Sequence, residues 1–398
     1  MVEMKITINY PPNSSFLSET LYEGILYLIL NSYVKNFNYN RLELENVEKA
    51  IANLEDETIG KIKIRMTGND NVNSKLFSLF GLNVRSKKTY SDLLMKLKEQ
   101  AFKAKLREKV NIEARIAKSV MLIDVESEKE GLALPQIFKI DRYTGISSLE
   151  TPYTSQQVKC RVSGEVALIL ILGLYSSFTA RVIQGGMGKR ERKEAYFFLT
   201  FAPEEIVRTL MSKSIDELKK SVKTMFAIRD LAKQVIEDVV SKTALNEALA
   251  VELALNMKIR EALVEHNLDK ISFILFKIIP EGQVFRIFSY KIYEQTPITI
   301  YRSPPYIRTL GRFFTDPDSI AGRIAEELTS KGAIMRTLGN PEADEHEDVV
   351  EAIIGLYRFV VLGDANGWYI FIRKLMDAHN KVKDKTVAYA KILSKLAY

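Results

Sequence analysis

The chain has 398 residues, of which 46% are hydrophobic and 27% are charged, a composition typical of two or three folded domains and not of a disordered protein. Its formal charge of +7 permits a polyanionic partner but does not require one. A single cysteine, Cys160, excludes an intramolecular disulfide and any cysteine-built zinc or iron–sulfur centre, and three widely spaced histidines argue against a histidine-rich metal site. We therefore expect no cofactor.

The amino-terminal third is predicted to mix strands and helices. Hydrophobic periodicity, prolines and cap residues predict, in chain order, a strand over 1–10, helices over 20–37 and 42–56, a strand over 61–66 and one long helix over 90–120.

The rest of the chain is predicted to turn from strands to helices. Expected strands lie near 121–126, 134–140 and 158–162, a hairpin at 178–201, a helical region at 203–266, strands at 271–278, 284–290 and 298–301, and helices at 318–331, 345–362 and 368–396. The fold class predicted is α+β, with a mixed or antiparallel sheet body, a helical insertion and a carboxyl-terminal helical bundle. The proline-containing segment 302–315 places the expected boundary between an α+β body, 1–302, and a helical domain, 303–398.

Two apolar runs, Leu21–Leu30 and Val166–Tyr175, are the candidates for a membrane span. Both are shorter than the ~20 residues that cross a bilayer, so they are predicted to be buried core elements. The amino terminus also lacks the apolar core of a signal peptide, and we expect a cytoplasmic protein with no membrane partner.

The hairpin at 178–201 has the most distinctive connection in the chain, Gln184–Lys193 (QGGMGKRERK). Its glycines allow a backbone to approach a ligand closely, and four basic residues follow them: Lys189, Arg190, Arg192 and Lys193. The segment is not a phosphate-binding P-loop, because Ile183 stands where the first glycine belongs and Arg190 replaces the Ser or Thr. Two interpretations remain, a solvated hairpin tip and a basic finger that contacts a phosphate backbone or enters a groove.

A second candidate is the boundary segment, which interleaves arginines with aromatic residues. Such a set clamps phosphates and stacks on bases, and its members here are Tyr301, Arg302, Tyr306, Arg308 and Arg312. The alternative is a linker whose aromatic side chains fill the adjoining core.

The third candidate is the basic stretch Arg85–Lys118, whose local charge of +7 equals that of the whole chain. If this stretch is one helix, Lys96, Lys103 and Arg107 share a stripe that could follow a nucleic acid, although a charged helix face is more often only solvated.

Acids cluster around His346 in the segment Glu342–Asp348. Because Pro341 precedes them, we interpret them as the first turn of a helix, where carboxylates are favourable. A metal site and contact with a basic partner protein are the alternatives.

The chain contains none of the common hydrolase, metalloprotease or nucleotide-binding motifs, so a binding protein is predicted and not an enzyme. The opening KITINYPPNSSFLSETLYEGIL, the hairpin YSSFTARVIQGGMGKRERKEAYFFLTFAPEEI and the helical end resemble the large subunit of archaeal type I-A CRISPR interference complexes (Cascade).

That resemblance implies a non-catalytic subunit that binds guide RNA and target DNA, recognises the protospacer-adjacent duplex, contacts other subunits and helps recruit a helicase–nuclease. In this interpretation the hairpin tip engages the duplex, and the 301–312 segment holds single-stranded backbone. Three alternatives stay open: another guide-RNA-binding subunit, a nuclease with dispersed carboxylates, and a structural assembly protein that binds no nucleic acid.

Overall fold

A computed structural model describes residues 3–66, 78, 89–99, 106–117, 120–134, 137–138, 159–184, 193–241, 259, 262–263, 265–266, 268, 270–281, 284–295, 324, 327–328, 332–360, 364–382, 389–390 and 393–394. The chain is α+β, as predicted, and forms two compact units. The first comprises Met1–Met225 and Ser272–Ile292, and the second comprises Phe226–Ile271 and Tyr293–Tyr398. This division differs from the predicted one, which kept all of 203–266 in the first domain and placed the boundary at 302.

The first sheet has the strand order β2-β3-β1-β4, in which β1 is antiparallel to β3 and parallel to β4. Its strands are β1 (Met4–Ile8), β2 (Tyr33–Asn38), β3 (Arg41–Glu45) and β4 (Lys109–Ile112). Helix α1 (Phe16–Asn31) connects β1 to β2, and the short helices α2 (Val47–Ala52) and α3 (Asp56–Lys61) follow β3.

Two predicted helices are partly strand in this region. The first helix ends at Asn31, and Tyr33–Asn38 is a strand, because its β-branched and aromatic residues pair with β3. In β3, Leu42 and Leu44 are buried and alternate with more exposed charged residues, so the period is two and not 3.6. The predicted strand at 61–66 is also wrong as a whole, since Lys61 ends α3 and Arg65 makes only an isolated bridge to Thr89.

The predicted long helix at 90–120 is wrong as well. Only α4 (Tyr90–Glu99) is helical among the residues described there, and β4 and β5 (Ala114–Ala117) follow. The alternation in Lys109–Ile112 puts Val110 and Ile112 into the core beside β1.

The remaining small sheet has the order β5-β6-β8-β7, with β6 (Val120–Ile123), β7 (Leu132–Ala133) and β8 (Lys159–Val162). Helix α5 (Gly164–Ser177) follows β8 and packs against α1. Every residue from Glu165 to Ser177 is buried, as predicted for an apolar core element. Among the described residues, no helix combines the length and the hydropathy needed to span a membrane.

The third sheet is a meander of order β12-β11-β10-β9. It contains β9 (Phe178–Gln184), β10 (Lys193–Phe201), β11 (Ile271–Glu281) and β12 (Val284–Gln295), with α6 (Pro203–Leu210) and α7 (Ile215–Val240) inserted between β10 and β11. Pro203 stands in the first turn of α6 with Glu204 and Glu205, which matches the predicted helix start.

The second unit contains a helical bundle built from α8 (Ala333–Leu338), α9 (His346–Val360) and α10 (Ala365–Lys381). Its core includes Leu356, Phe371 and Leu375, all fully buried. The acids at 342–348 precede or occupy the first turn of α9, which agrees with the helix-start interpretation. Asp348 of that turn contacts Lys374 and Lys381 of α10.

Candidate functional site

The β9–β10 hairpin holds the ends of the glycine-rich basic segment together. The two strands are antiparallel, with Gln184 opposite Lys193, so the described residues on either side of 185–192 lie next to each other at one end of the sheet. Near that end, Arg181 of β9 forms an ion pair with Glu194 of β10. The hairpin that the sequence predicted is therefore confirmed, while residues 185–192, which include Lys189, Arg190 and Arg192, lie outside the described residues.

Aromatic packing anchors the other end of this hairpin. Phe198 of β10 makes edge-on contacts with Phe16 and Phe178, at centroid separations of 5.2 and 5.8 Å, and Phe276 of β11 meets Phe16 at 5.3 Å. These rings are buried, so the strands that support the basic segment belong to the hydrophobic core of the first unit.

The other predicted contact residues are placed only in part. Lys103 and the members of the aromatic–arginine segment, Tyr301, Arg302, Tyr306, Arg308 and Arg312, lie outside the described residues. Lys96 is half-buried in α4.

Arg107 does not share a helical stripe with Lys96, and that prediction is wrong. It precedes β4, and its backbone N–H donates to Glu165 Oε1 at 2.7 Å while its guanidinium donates to Glu165 Oε2 at 2.8 and 3.1 Å. The same guanidinium forms an ion pair with Asp124, which follows β6. The side chains of Glu165 and Asp124 are only 6% and 7% exposed, so the charge of Arg107 is already compensated within the fold.

A cleft of about 300 Å³ lies where β1 and the β2–β3 turn meet α1 and α6. The described residues of its walls are tyrosines, asparagines, prolines and aliphatic residues, with no charged side chain among them: Ile8, Asn9, Tyr10, Pro11, Pro12, Tyr22, Tyr39, Asn40, Val207 and Leu210. The volume of this cleft is at the lower end of the usual range for small-molecule sites, roughly 300–1,000 Å³.

Helix α1 fixes the loop that forms one wall of this cleft. The Tyr22 hydroxyl donates to the Tyr10 carbonyl oxygen, and the Ser14 N–H donates to Glu19 Oε1 at 2.8 Å. Ser14 has a positive φ of 62°, and Ser15 caps the helix by accepting from the Ser18 N–H.

Glu19 is fully buried, and its Oε2 has no hydrogen-bond partner among the described residues. Burial raises its pKa to about 8, and the neighbouring Glu23 adds to this effect, whereas the backbone N–H groups of Ser14 and Asn13 oppose it. A substantial fraction of Glu19 is therefore a neutral acid near neutral pH.

Two further buried carboxylates tie the third sheet to the helices. Glu23 Oε1 accepts from the Phe201 N–H at 3.0 Å, and Glu205 Oε1 accepts from the Ser272 N–H at 3.1 Å. Glu23 lies within the apolar run Leu21–Leu30, which was predicted only to be a buried core element. An acid in the middle of such a run was the available signal for a buried structural contact.

The described residues contain no cluster of three or more histidine, cysteine, aspartate or glutamate side chains arranged to bind a metal ion. His346 instead bonds the Thr337 carbonyl oxygen through Nδ1 at 2.9 Å, and Thr337 bonds the Tyr389 hydroxyl at 2.7 Å.

An archaeal protein from Archaeoglobus fulgidus, described as an uncharacterized protein, is 39% identical over 388 residues, which cover 96% of this chain and 95% of the relative. The chain belongs to the family of this archaeal protein. No protein-family profile and no solved structure matches the chain. The identity extends over nearly the whole length of both proteins, so it includes both units.

Proposed function

We propose that this chain is a non-catalytic nucleic-acid-binding subunit of an RNA-guided DNA-interference complex, which contacts the protospacer-adjacent duplex and the guide RNA. The observation that supports the proposal is the pairing of Gln184 with Lys193, the two described residues that flank the basic segment. Its other partners would be the neighbouring subunits of the complex and a separate helicase–nuclease, in the cytoplasm.

The physical argument starts from where the charges are attached. Both ends of residues 185–192 are held by one pair of hydrogen-bonded strands, whose far ends are packed into an aromatic core. A basic segment attached in this way loses less conformational freedom on binding than a free tail would. Its glycines permit close approach of the backbone to phosphates.

Salt dependence tests whether this tip binds a polyanion. We expect the affinity for a random-sequence DNA duplex to fall with salt, with a slope of log K against log salt near −3 if the tip neutralises about three phosphates. The triple variant R190E, R192E and K193E should flatten the slope by about two units or more. The matched control reverses three exposed lysines elsewhere, Lys49, Lys220 and Lys223, and should change the slope much less.

Equal slopes and affinities for the wild type and the hairpin variant would refute a binding role for the tip. Metal-dependent cleavage of labelled DNA or RNA by the purified protein would instead support the nuclease alternative. Purification of the tagged protein from its host, with sequencing of attached RNA and identification of attached proteins, tests membership of the complex. Absence of RNA and of other subunits in that purification would argue against the proposal.

A further inference from the structure

The uncharged cleft beside the amino-terminal loop suggests a second kind of recognition. Among the described residues that line it, there is no cation to neutralise a phosphate and no carboxylate to bind an amine. A ligand that fits here is therefore neutral, with apolar faces and polar edges.

Tyr39 supplies an aromatic surface at the mouth of the cleft. It lies in the turn between β2 and β3, and 66% of the residue is exposed. Val207 and Leu210 of α6 provide apolar contacts in the same cleft, and Val207 is 40% exposed. An exposed tyrosine beside aliphatic side chains offers a stacking surface for a flat ring.

Asparagine amides supply the polar contacts. Asn40 Nδ2 donates to Asn9 Oδ1 at 3.3 Å, and Asn9 Nδ2 donates to Asn111 Oδ1 at 3.3 Å. Each amide has two N–H donors and one oxygen acceptor, so the Asn40 Oδ1 and its second N–H are left without a partner in the described part of the chain. A donor and an acceptor on one amide match the edge of a purine or pyrimidine base.

The cleft is also formed in advance of binding. The Tyr10 carbonyl is held by the Tyr22 hydroxyl, and the Tyr10 hydroxyl accepts from Asn13 Nδ2 at 2.9 Å. The Ile8 N–H donates to the Asn40 carbonyl oxygen at 2.8 Å and so joins the turn to β1. Walls held by such contacts need little ordering when a ligand enters.

We infer that this cleft binds one nucleobase, stacked on Tyr39 and hydrogen bonded by the amide of Asn40. The base could belong to a free nucleoside or nucleotide, or to a single strand that passes over the first sheet. This inference is independent of the basic hairpin, because the contacts of the cleft involve no phosphate.

The experiment uses the full chain and four neutral nucleosides, adenosine, guanosine, cytidine and uridine, with binding followed by calorimetry. A parallel titration uses single-stranded oligonucleotides of the same bases. The variant Tyr39→Ser removes the ring, Tyr39→Phe keeps it, and Tyr369→Ser removes an exposed tyrosine of α10 that does not line the cleft.

We expect Tyr39→Ser to weaken base binding by roughly tenfold, within the range for loss of one base-stacking contact, while Tyr39→Phe and Tyr369→Ser retain it. Binding of free nucleosides identifies a free ligand as the source, and an effect confined to oligonucleotides identifies a strand. The inference is overturned if no nucleoside binds and Tyr39→Ser leaves oligonucleotide affinity unchanged, or if neither class of ligand binds.

These experiments test the proposal for the basic hairpin and the proposal for the cleft independently. Nucleoside binding should be insensitive to salt and to the hairpin charge reversals, since a nucleoside has no phosphate. If nucleosides bind but the protein shows no salt-dependent binding of duplex DNA, the proposed function is refuted and this inference stands.

Discussion

Gly24 of α1 and Gly173 of α5 lie in direct backbone contact. A methyl group on Gly173 would stand 1.8 Å from the Thr20 carbonyl oxygen and 2.9 Å from the Gly24 nitrogen, and one on Gly24 would stand 2.0 Å from the Ile169 carbonyl oxygen. The two helices cross at a distance that no larger residue permits, and this crossing supports the buried core next to the cleft and the hairpin.

Alanine at either glycine should therefore disrupt the first unit. We expect Gly24→Ala and Gly173→Ala each to lower the free energy of unfolding by about 3 kcal/mol or more, because backbone atoms cannot move aside as a flexible side chain does. Urea denaturation followed by far-UV circular dichroism measures the effect.

Gly60 in α3 provides the matched control, since a methyl group there would meet nothing within 4 Å. Gly60→Ala should be neutral or stabilising, by up to about 1 kcal/mol, because alanine favours the helix. Equal stabilities for all three variants would contradict the close crossing.

The raised pKa of Glu19 predicts that the free energy of unfolding decreases as the pH rises. Burial favours the neutral acid in the folded state, with a pKa of about 8, while the unfolded chain has the ordinary value near 4.5. The folded state then holds an extra proton between these values, so stability is complete below about pH 4.5 and is lost as the pH rises towards 8.

Glu19→Gln should remove this part of the pH dependence, because its amide stays neutral and its oxygen can still accept from the Ser14 N–H. We expect the variant to gain on the order of 3 kcal/mol relative to wild type between pH 5 and pH 8. Urea denaturation at the two pH values tests this. Glu57→Gln, at an exposed position of α3, is the control, and its stability should depend on pH as that of the wild type does. If the stability of Glu19→Gln also depends on pH as that of the wild type does, Glu19 is not a neutral acid in the folded state.

The Arg107–Glu165 pair predicts the opposite direction of pH dependence. Although burial alone would raise the pKa of Glu165, the hydrogen bonds from the Arg107 side chain and backbone hold it below its usual value. The stabilisation is therefore present above the unfolded pKa and is lost as the pH falls through the lower folded value.

Arg107→Met should cost about 2–3 kcal/mol at neutral pH, because the carboxylates of Glu165 and Asp124 remain largely buried without their cation. The figure is reduced from the range for fully buried pairs, since 54% of the Arg107 side chain is exposed. A double-mutant cycle with Glu165→Gln measures the coupling. Additive effects of the two substitutions would show that the pair contributes little.

The contacts of Asp348 with two lysines are expected to stabilise the second unit. Two lysines of α10, Lys374 and Lys381, hold the pKa of this carboxyl below its usual range. Asp348→Asn should therefore destabilise the α9–α10 pair by about 1 kcal/mol at neutral pH, and the difference should shrink as the pH falls and the aspartate becomes protonated.

Tryptophan fluorescence reports this unit alone, because the only tryptophan of the chain is Trp368 in α10. Glu347→Gln, exposed in the same first turn of α9, removes the same charge near the helix end and serves as the control. If both variants unfold at the same urea concentration, the contacts of Asp348 with the lysines of α10 add no stability beyond that of a negative charge at the helix start.

The local sequence pattern was sufficient to predict secondary structure where that structure does not depend on residues distant in the chain. The α+β class, the hairpin around residues 185–192, the Pro203 helix start and the acids of α9 were all predicted, since turn residues, helix caps and two-residue alternation act within a few positions. The same rules failed for 90–120, where Val110 and Ile112 become strand residues because β1 lies alongside them.

The sequence by itself determined that two apolar core elements, an antiparallel hairpin and a helical carboxyl-terminal part would form, because these follow from the order of apolar and polar residues. Only the tertiary structure decided that Arg107 is engaged by Glu165 and Asp124, that Glu19 is buried, and that Tyr39 and Asn40 meet the Tyr10 loop. These relationships join residues that are distant in the chain, and their energies depend on burial and distance, which no local pattern encodes.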